Sequence, residues 1–221
     1  MDVFASFYEQ MKSGLEVSEF LGCHAALFRE IKAHGLMEDY RLGRGRMKRL
    51  RDEVTPVALF LPEHADSSDK VQFPLNNNVP DCNVWHRTPN LHRTIEVTVA
   101  QARERLNLMT ELNETGWGRG FIGVTDDKPK SAFDERMAEP REAYSTDRVR
   151  EIMTGALILC AGNKAHSQGH TLIISAAMDM LPRERWIEMR QSLAAPVSQL
   201  AFQEVYLVGR PDEKELCLRL K

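Results

Sequence analysis

Two carboxylates, Asp81 and Glu96, lie in neighbouring segments whose composition favours β-strands. The segments read PDCNVWHR and RTIEVTVA, and both contain Val, Ile, Thr or Trp. Between them, TPNLH supplies Pro and Asn, which are common in turns. A hairpin of the two strands would bring Asp81 and Glu96 to one end of a sheet. Two carboxylates placed in this way are the hard oxygen ligands that Mg²⁺ or Mn²⁺ requires, with water and a substrate phosphate completing the shell.

The order Pro80-Asp81 followed by Glu96-Val97-Thr98 resembles the motif of the PD-(D/E)XK nuclease superfamily. That motif has an Asp on one strand and Glu-x-Lys on the next. The resemblance implies metal-dependent hydrolysis of phosphodiester bonds in nucleic acid. It implies that Asp81 and Glu96 bind the metal, that Asp81 bridges metal and phosphate, and that the Val97 carbonyl is a third ligand.

The sequence departs from the motif at Thr98, which stands where the superfamily has lysine. Side chains alternate along a strand, so Glu96 and Thr98 share a face while Val97 faces the core. A hydroxyl donates and accepts hydrogen bonds but does not carry the charge of a lysine. Gln101, at the end of this strand, is the candidate to reach the same pocket.

Further candidates for the site lie on helices. Arg103 and Arg105 on the following helix could supply positive charge, although an exposed helix face explains them equally well, and better for Arg105. In the superfamily an acidic residue of the first helix often joins the site. Glu19 is favoured for this position over Glu16 and Glu30. A solvated helix face is the alternative for each of these acids.

A local basic stretch, RLGRGRMKRLR, spans residues 41–51 and contains no acid. Its glycines permit close approach of the backbone to phosphate, and its charges predict salt-sensitive, sequence-independent binding of nucleic acid. The alternative is a solvated helix paired with acids in the adjoining MEDY and DEV. The candidate nucleic-acid-binding residues are Arg41, Arg44, Arg46, Lys48, Arg49 and Arg51.

Composition sets the class of protein. Apolar residues make up 43% and charged residues 28% of the chain, which is ordinary for a globular protein. The net charge of −3 gives no global nucleic-acid footprint, so a basic face must be local. The cysteines are far apart in sequence, which argues against a zinc ribbon and indicates free thiols in a reducing compartment. The sequence shows neither a signal peptide nor a membrane span, so a cytoplasmic location is expected.

Hydrophobic periodicity predicts an α/β fold with a mixed central sheet flanked by helices and an N-terminal helical extension. The resemblance implies a restriction endonuclease-like topology. The predicted division is an N-terminal helical segment, 1–53, and an α/β core, 54–221, or one continuous domain. The predicted helices begin near residues 2, 38, 101, 146 and 183. The predicted strands are PVALFL (56–61), KVQFPL, the carboxylate hairpin, HTLIISAAM, FQEVYLVG and ELCLRL. FIGV (121–124) is predicted as a short strand or an extended piece, and 126–144 as a solvated excursion.

Two functional interpretations remain open. In the first, the chain is a Mg²⁺-dependent nuclease, with DNA favoured over RNA as substrate. In the second, catalysis has been lost and the same fold serves as a DNA-binding or protein-interaction module. The absent lysine favours the second, and the acidic pair favours the first. A third outcome is an α/β domain whose acidic pair is coincidental. The resemblance also implies a possible homodimer.

Overall fold

The computed structural model describes residues 3–76, 78–87, 91–116, 122–139, 145–164, 169–211 and 214–221. Within these residues seven strands form one mixed sheet in chain order. The strands are β1 (Leu15–Glu16), β2 (Lys70–Gln72), β3 (Cys82–Trp85), β4 (His92–Val99), β5 (Thr171–Ser175), β6 (Glu204–Gly209) and β7 (Leu216–Arg219).

Strands β1 to β4 are paired antiparallel, β4, β5 and β6 are parallel, and β7 returns antiparallel to β6. Each parallel step requires a crossover connection, which helices provide. The helices are α1 (Val3–Ser13), α2 (Val17–Ala33), α3 (Met37–Leu42), α4 (Met47–Arg49), α5 (Thr55–His64), α6 (Ala102–Thr115), α7 (Lys130–Ala138), α8 (Thr146–Gly162) and α9 (Arg183–Ser198). A π-helical turn, Leu50–Val54, joins α4 to α5, and Met178–Met180 forms a short 3₁₀ turn.

The helices form a layer on each face of the sheet. Helices α1, α2 and α5 pack against one face, and α8 and α9 pack against the other. Strand β5 is buried along its whole length, and its side chains alternate between the two cores: Ile173 on one side, Leu172 and Ile174 on the other. Burial on both faces is typical of a parallel strand in the middle of an α/β fold. The predicted α/β class with a mixed sheet is confirmed.

The predicted strand at 56–61 is wrong, because these residues form helix α5. All six residues of PVALFL are buried, so the helix has no polar face to reveal a helical period. A short continuous apolar run fits a buried strand and a buried helix equally well. Pro56 is accommodated in the first turn, where its missing N–H has no partner to lose.

Two further predictions of secondary structure are wrong, those for the excursion at 126–144 and for the charged helix at 38–53. The excursion 126–144 contains helix α7, which buries Phe133. For FIGV, predicted as a short strand or an extended piece, residues 122–124 are not in a strand, and residue 121 lies outside the described residues. The charged helix predicted for 38–53 is broken into short pieces, because Gly43 ends α3 with a φ of 62°.

The N-terminal segment takes part in the same sheet and core. Strand β1 pairs with β2, and Phe7, Phe20 and Ile31 from α1 and α2 lie in one core with Val71 and Val84 of the sheet. None of the helices in the described part of the chain has the length and apolarity that a membrane crossing needs.

Candidate metal and catalytic site

Asp81 and Glu96 lie opposite each other at the start of β3. The pairing of Cys82 with Ile95 places Asp81 across from Glu96. The main-chain N–H of Asp81 donates to the carbonyl of Ile95 at 2.9 Å. Its Oδ2 accepts a hydrogen bond from the N–H of Val97 at 2.7 Å. These bonds fix the Asp81 carboxylate against β4, beside Glu96.

Glu96 is a buried carboxylate with one oxygen in an ion pair and one oxygen without a partner. Its exposed fraction is only 2%. Oε1 lies 2.8 Å from the Nζ of Lys164. Oε2 is buried and has no hydrogen-bond partner among the described residues. Burying a carboxylate oxygen without compensation is costly, so this atom indicates a place for a missing donor or cation.

Lys164 follows the end of α8, which crosses the face of the sheet that carries Glu96 and Thr98. The Oγ1 of Thr98 contacts the Sγ of Cys160 on this helix at 3.2 Å. One turn further, Lys164 reaches Glu96. Burial alone lowers the pKa of Lys164, but the hydrogen bond and charge of Glu96, with the charge of Asp81, outweigh it and raise that pKa. An ammonium group therefore stands beside Glu96 although position 98 is threonine.

A third acid, Glu53, lies in the π-helical turn, near enough to Asp81 for the charge of Asp81 to act on it. Burial, reinforced by the negative charge of Asp81, raises the pKa of Glu53 to about 7. Arg49, one turn earlier, opposes this rise. Single π-helical turns inside helices occur frequently at functional sites, and this one ends directly before α5. The sequence reasoning missed Glu53 because 56–61 was assigned to a strand, which removed the helix that brings this acid to the sheet.

The electrostatics of Asp81 reflect this mixture of charges. Burial raises the pKa of Asp81, and Glu96 acts in the same direction. The N–H of Val97 and the cations Lys164 and Arg49 oppose the rise. The site therefore concentrates acids in a half-buried position with only partial neutralisation by its own cations, which favours binding of a further cation.

The donor set fits a hard divalent cation. Mg²⁺ is commonly held by one or two carboxylates, with waters and phosphate oxygens completing its shell. Asp81 and Glu96 supply these carboxylates, and the buried Oε2 of Glu96 is the orphaned atom that a cation would satisfy. Val97 is the third predicted ligand. Its N–H donates to Asp81, and its side chain packs in the core.

The remaining predicted catalytic residues are engaged elsewhere. Thr98 directs its hydroxyl to Cys160. Gln101 is buried and donates to Glu104 at 2.8 Å, and Glu104 in turn accepts the N–H of Gly123 at 3.0 Å. Glu19 accepts the main-chain N–H of Glu16 at 3.4 Å in a capping box at the start of α2. The structure brings Asp81 and Glu96 together, and gives Thr98, Gln101 and Glu19 contacts of their own.

Most of the basic stretch 41–51 makes intramolecular contacts. Arg41 donates to Asn113, and Arg44 forms ion pairs with Glu38 and Asp39. Arg51 pairs with Asp52 at 2.6 Å and packs against Gly43. Arg49 donates to the carbonyl of Leu75. The exposed basic residues of the stretch are Arg44, Arg46 and Lys48.

Comparisons with known proteins give no further guide. No family model, curated protein or solved structure matches the chain. The basis for assigning a function is therefore the arrangement of Asp81, Glu96, Lys164 and Glu53.

Proposed function

We propose that the chain is a metal-dependent hydrolase of phosphodiester bonds in nucleic acid, with a PD-(D/E)XK-like site whose lysine comes from the end of α8. One observation carries the proposal: Glu96, which lies opposite Asp81, is buried and pairs with Lys164 through one oxygen while its second oxygen has no hydrogen-bond partner among the described residues. A purely structural ion pair gains nothing from such an orphaned oxygen. The mixed sheet and its meander of β2, β3 and β4 support a restriction endonuclease-like fold.

Each residue has a distinct role in this proposal. Asp81 and Glu96 would hold Mg²⁺ or Mn²⁺, which when bound would lower the pKa of its water and neutralise charge on the scissile phosphate. Lys164 orients the attacking water and stabilises charge that develops on the phosphate oxygens. Glu53 is the candidate proton acceptor, because a carboxyl with a pKa of about 7 is suited to general base catalysis near neutral pH.

The substrate in this proposal is nucleic acid, with DNA favoured over RNA because of the resemblance to DNA-cleaving nucleases. Arg46 and Lys48 contact the phosphate backbone. A homodimer is the arrangement that would allow both strands of a duplex to be cut.

The second candidate is a nucleic-acid-binding module without catalysis. The contact between Thr98 and Cys160 favours it, because the motif position that normally carries the catalytic lysine is tied to α8. In this alternative Lys164 serves only to neutralise Glu96.

Cleavage of plasmid DNA, single-stranded DNA and RNA with Mg²⁺, Mn²⁺ or a chelator tests the proposal. We expect metal-dependent cleavage that falls about 100-fold or more in Glu96→Gln and in Lys164→Met, the usual effect of removing a group that stabilises a transition state. Lys12→Met is the matched control, since Lys12 also forms a 2.8 Å ion pair with a glutamate but lies on the surface. Cleavage that persists in Glu96→Gln would exclude this site, and DNA binding without cleavage would support the second candidate.

A further inference from the structure

A second group of metal-ligand side chains lies on the opposite face of the sheet from Glu96. Glu63 and His64 end helix α5, and Cys217 lies on the edge strand β7. Their ligand atoms all lie within 4.8 Å of one another, and among the described residues no other group of three or more such side chains meets this distance. Residues far apart in sequence thus converge at one point of the surface.

The surroundings fix the imidazole of this group in place. The ring of His64 stacks on Phe60 at 4.3 Å between centroids and contacts Tyr206 at 4.5 Å. Its Nε2 faces the Sγ of Cys217 at 3.4 Å. His64 and Cys217 are half-buried while Glu63 is exposed, so the group opens to solvent on one side. The exposed side provides an entry path for an ion.

The chemistry of these ligands differs from that of Asp81 and Glu96. A thiolate, an imidazole and a carboxylate together are typical ligands of Zn²⁺, whereas Mg²⁺ prefers oxygen alone. Three protein ligands leave a fourth tetrahedral position for water. We propose that Glu63, His64 and Cys217 bind a single zinc ion, which links the end of α5 to the edge strand β7.

Binding of the ion displaces one proton. Burial, together with the charge of Glu63, raises the pKa of the Cys217 thiol to about 12, so the thiol is protonated in the metal-free protein. The Zn–S bond forms as the S–H bond breaks, and the proton leaves to solvent. Burial and the charge of Arg93 lower the pKa of His64, which keeps the imidazole neutral and its Nε2 lone pair available.

The positive charges of two arginines near this group are partly neutralised, which reduces their repulsion of a bound cation. Arg93 and Arg219 each form an ion pair with Glu204, at 3.2 Å in both cases. Arg93 also donates to the main-chain carbonyl of His64 at 3.3 Å.

Titration of the full chain with Co²⁺, followed by displacement with Zn²⁺, tests this proposal without any assay of activity. We expect a thiolate-to-cobalt charge-transfer absorption that saturates at one equivalent and disappears when Zn²⁺ is added. The absorption is lost in Cys217→Ser and is retained in Cys23→Ser, the matched cysteine control, and in Glu96→Gln. Retention in Glu96→Gln separates this site from the proposed nuclease site.

Glu63→Gln provides a variant that leaves the core untouched, because Glu63 is exposed. We expect it to weaken zinc binding by about tenfold or more, at least the effect of losing an outer-shell partner of a metal. Zinc should also raise the melting temperature of the wild-type protein and not that of Cys217→Ser. An absence of thiolate absorption in the folded wild-type protein would overturn the proposal, as would an absorption that persists in Cys217→Ser.

Discussion

Replacing Lys164 with Met should destabilise the fold by about 2 kcal/mol. Glu96 is 2% exposed and Lys164 is its only ion-pair partner among the described residues, so the substitution leaves a buried carboxylate without compensation. Removing one member of a fully buried pair costs about 3–5 kcal/mol. The Lys164 side chain is 37% exposed, so solvent already screens part of the interaction, and the expected cost falls below that range to about 2 kcal/mol.

Replacing the partner residue, Glu96, should change the free energy of unfolding far less, or in the opposite direction. Glu96→Gln removes the buried charge while keeping the shape of the side chain, and the partly exposed ammonium of Lys164 regains water. We expect a change within about 0.5 kcal/mol of zero, or a small gain in stability. The double variant should match Glu96→Gln, which gives a coupling energy of about 2 kcal/mol between the two residues.

Urea unfolding, followed by circular dichroism and by tryptophan fluorescence, measures each corner of this cycle. The control cycle joins Glu9→Gln and Lys12→Met, a pair with the same 2.8 Å separation but 72% and 48% exposure. We expect a coupling below about 0.5 kcal/mol there. A coupling for Glu96 and Lys164 no larger than in the control would refute the argument, because the ion pair would then not contribute in solution.

Three other predictions concern Glu53, Phe60 and Lys48. The pKa of Glu53 in the folded protein, about 7, is above its ordinary value of 4.5, so its contribution to stability is present at low pH and is lost as the pH rises through 7. Relative to wild type, the free energy of unfolding of Glu53→Gln should therefore rise by about 1–2 kcal/mol between pH 4.5 and 8 in urea titrations. A difference between the two proteins that stays constant with pH would contradict a raised pKa of Glu53. Phe60→Ala should cost about 3–5 kcal/mol in the same assay, since Phe60 is fully buried in α5, and a loss below about 1 kcal/mol would argue against this packing. Lys48→Gln should weaken DNA binding and reduce the slope of log affinity against log salt by about 1, and an unchanged slope would exclude a phosphate contact.

The local part of the site could be predicted from sequence. The alternation in RTIEVTVA assigns Glu96 and Thr98 to one face and Val97 to the other, and the structure has this arrangement. Asp81 follows because a short turn joins the two strands, so their register is set by neighbouring residues. Strand β5 was recognisable from its continuous apolar run, which in that case did belong to a buried strand.

The distant part of the site could not be predicted in the same way. Lys164 reaches Glu96 only because the crossover through α8 returns the chain to β5, and no periodicity in the sequence reports that distance. Glu53 depends on α5 being a helix, and the six apolar residues after Thr55 carry no helical period because every side of that helix is buried. Both residues lie on elements next to the sheet rather than within the motif: Lys164 near the end of the long helix before β5, and Glu53 in the turn before α5.

The proposed function requires that Asp81 and Glu96 bind one hard cation beside Lys164. A crystal structure of the protein soaked in Mn²⁺, with anomalous scattering to locate the metal, tests it most directly. We expect one ion with a carboxylate oxygen from Asp81 and one from Glu96 at about 2.1 Å, the Glu96 ligand being the oxygen that lacks a partner without metal. An ion bound only elsewhere, or a Glu96 that stays paired to Lys164 with no metal beside it at saturating Mn²⁺, would contradict the account.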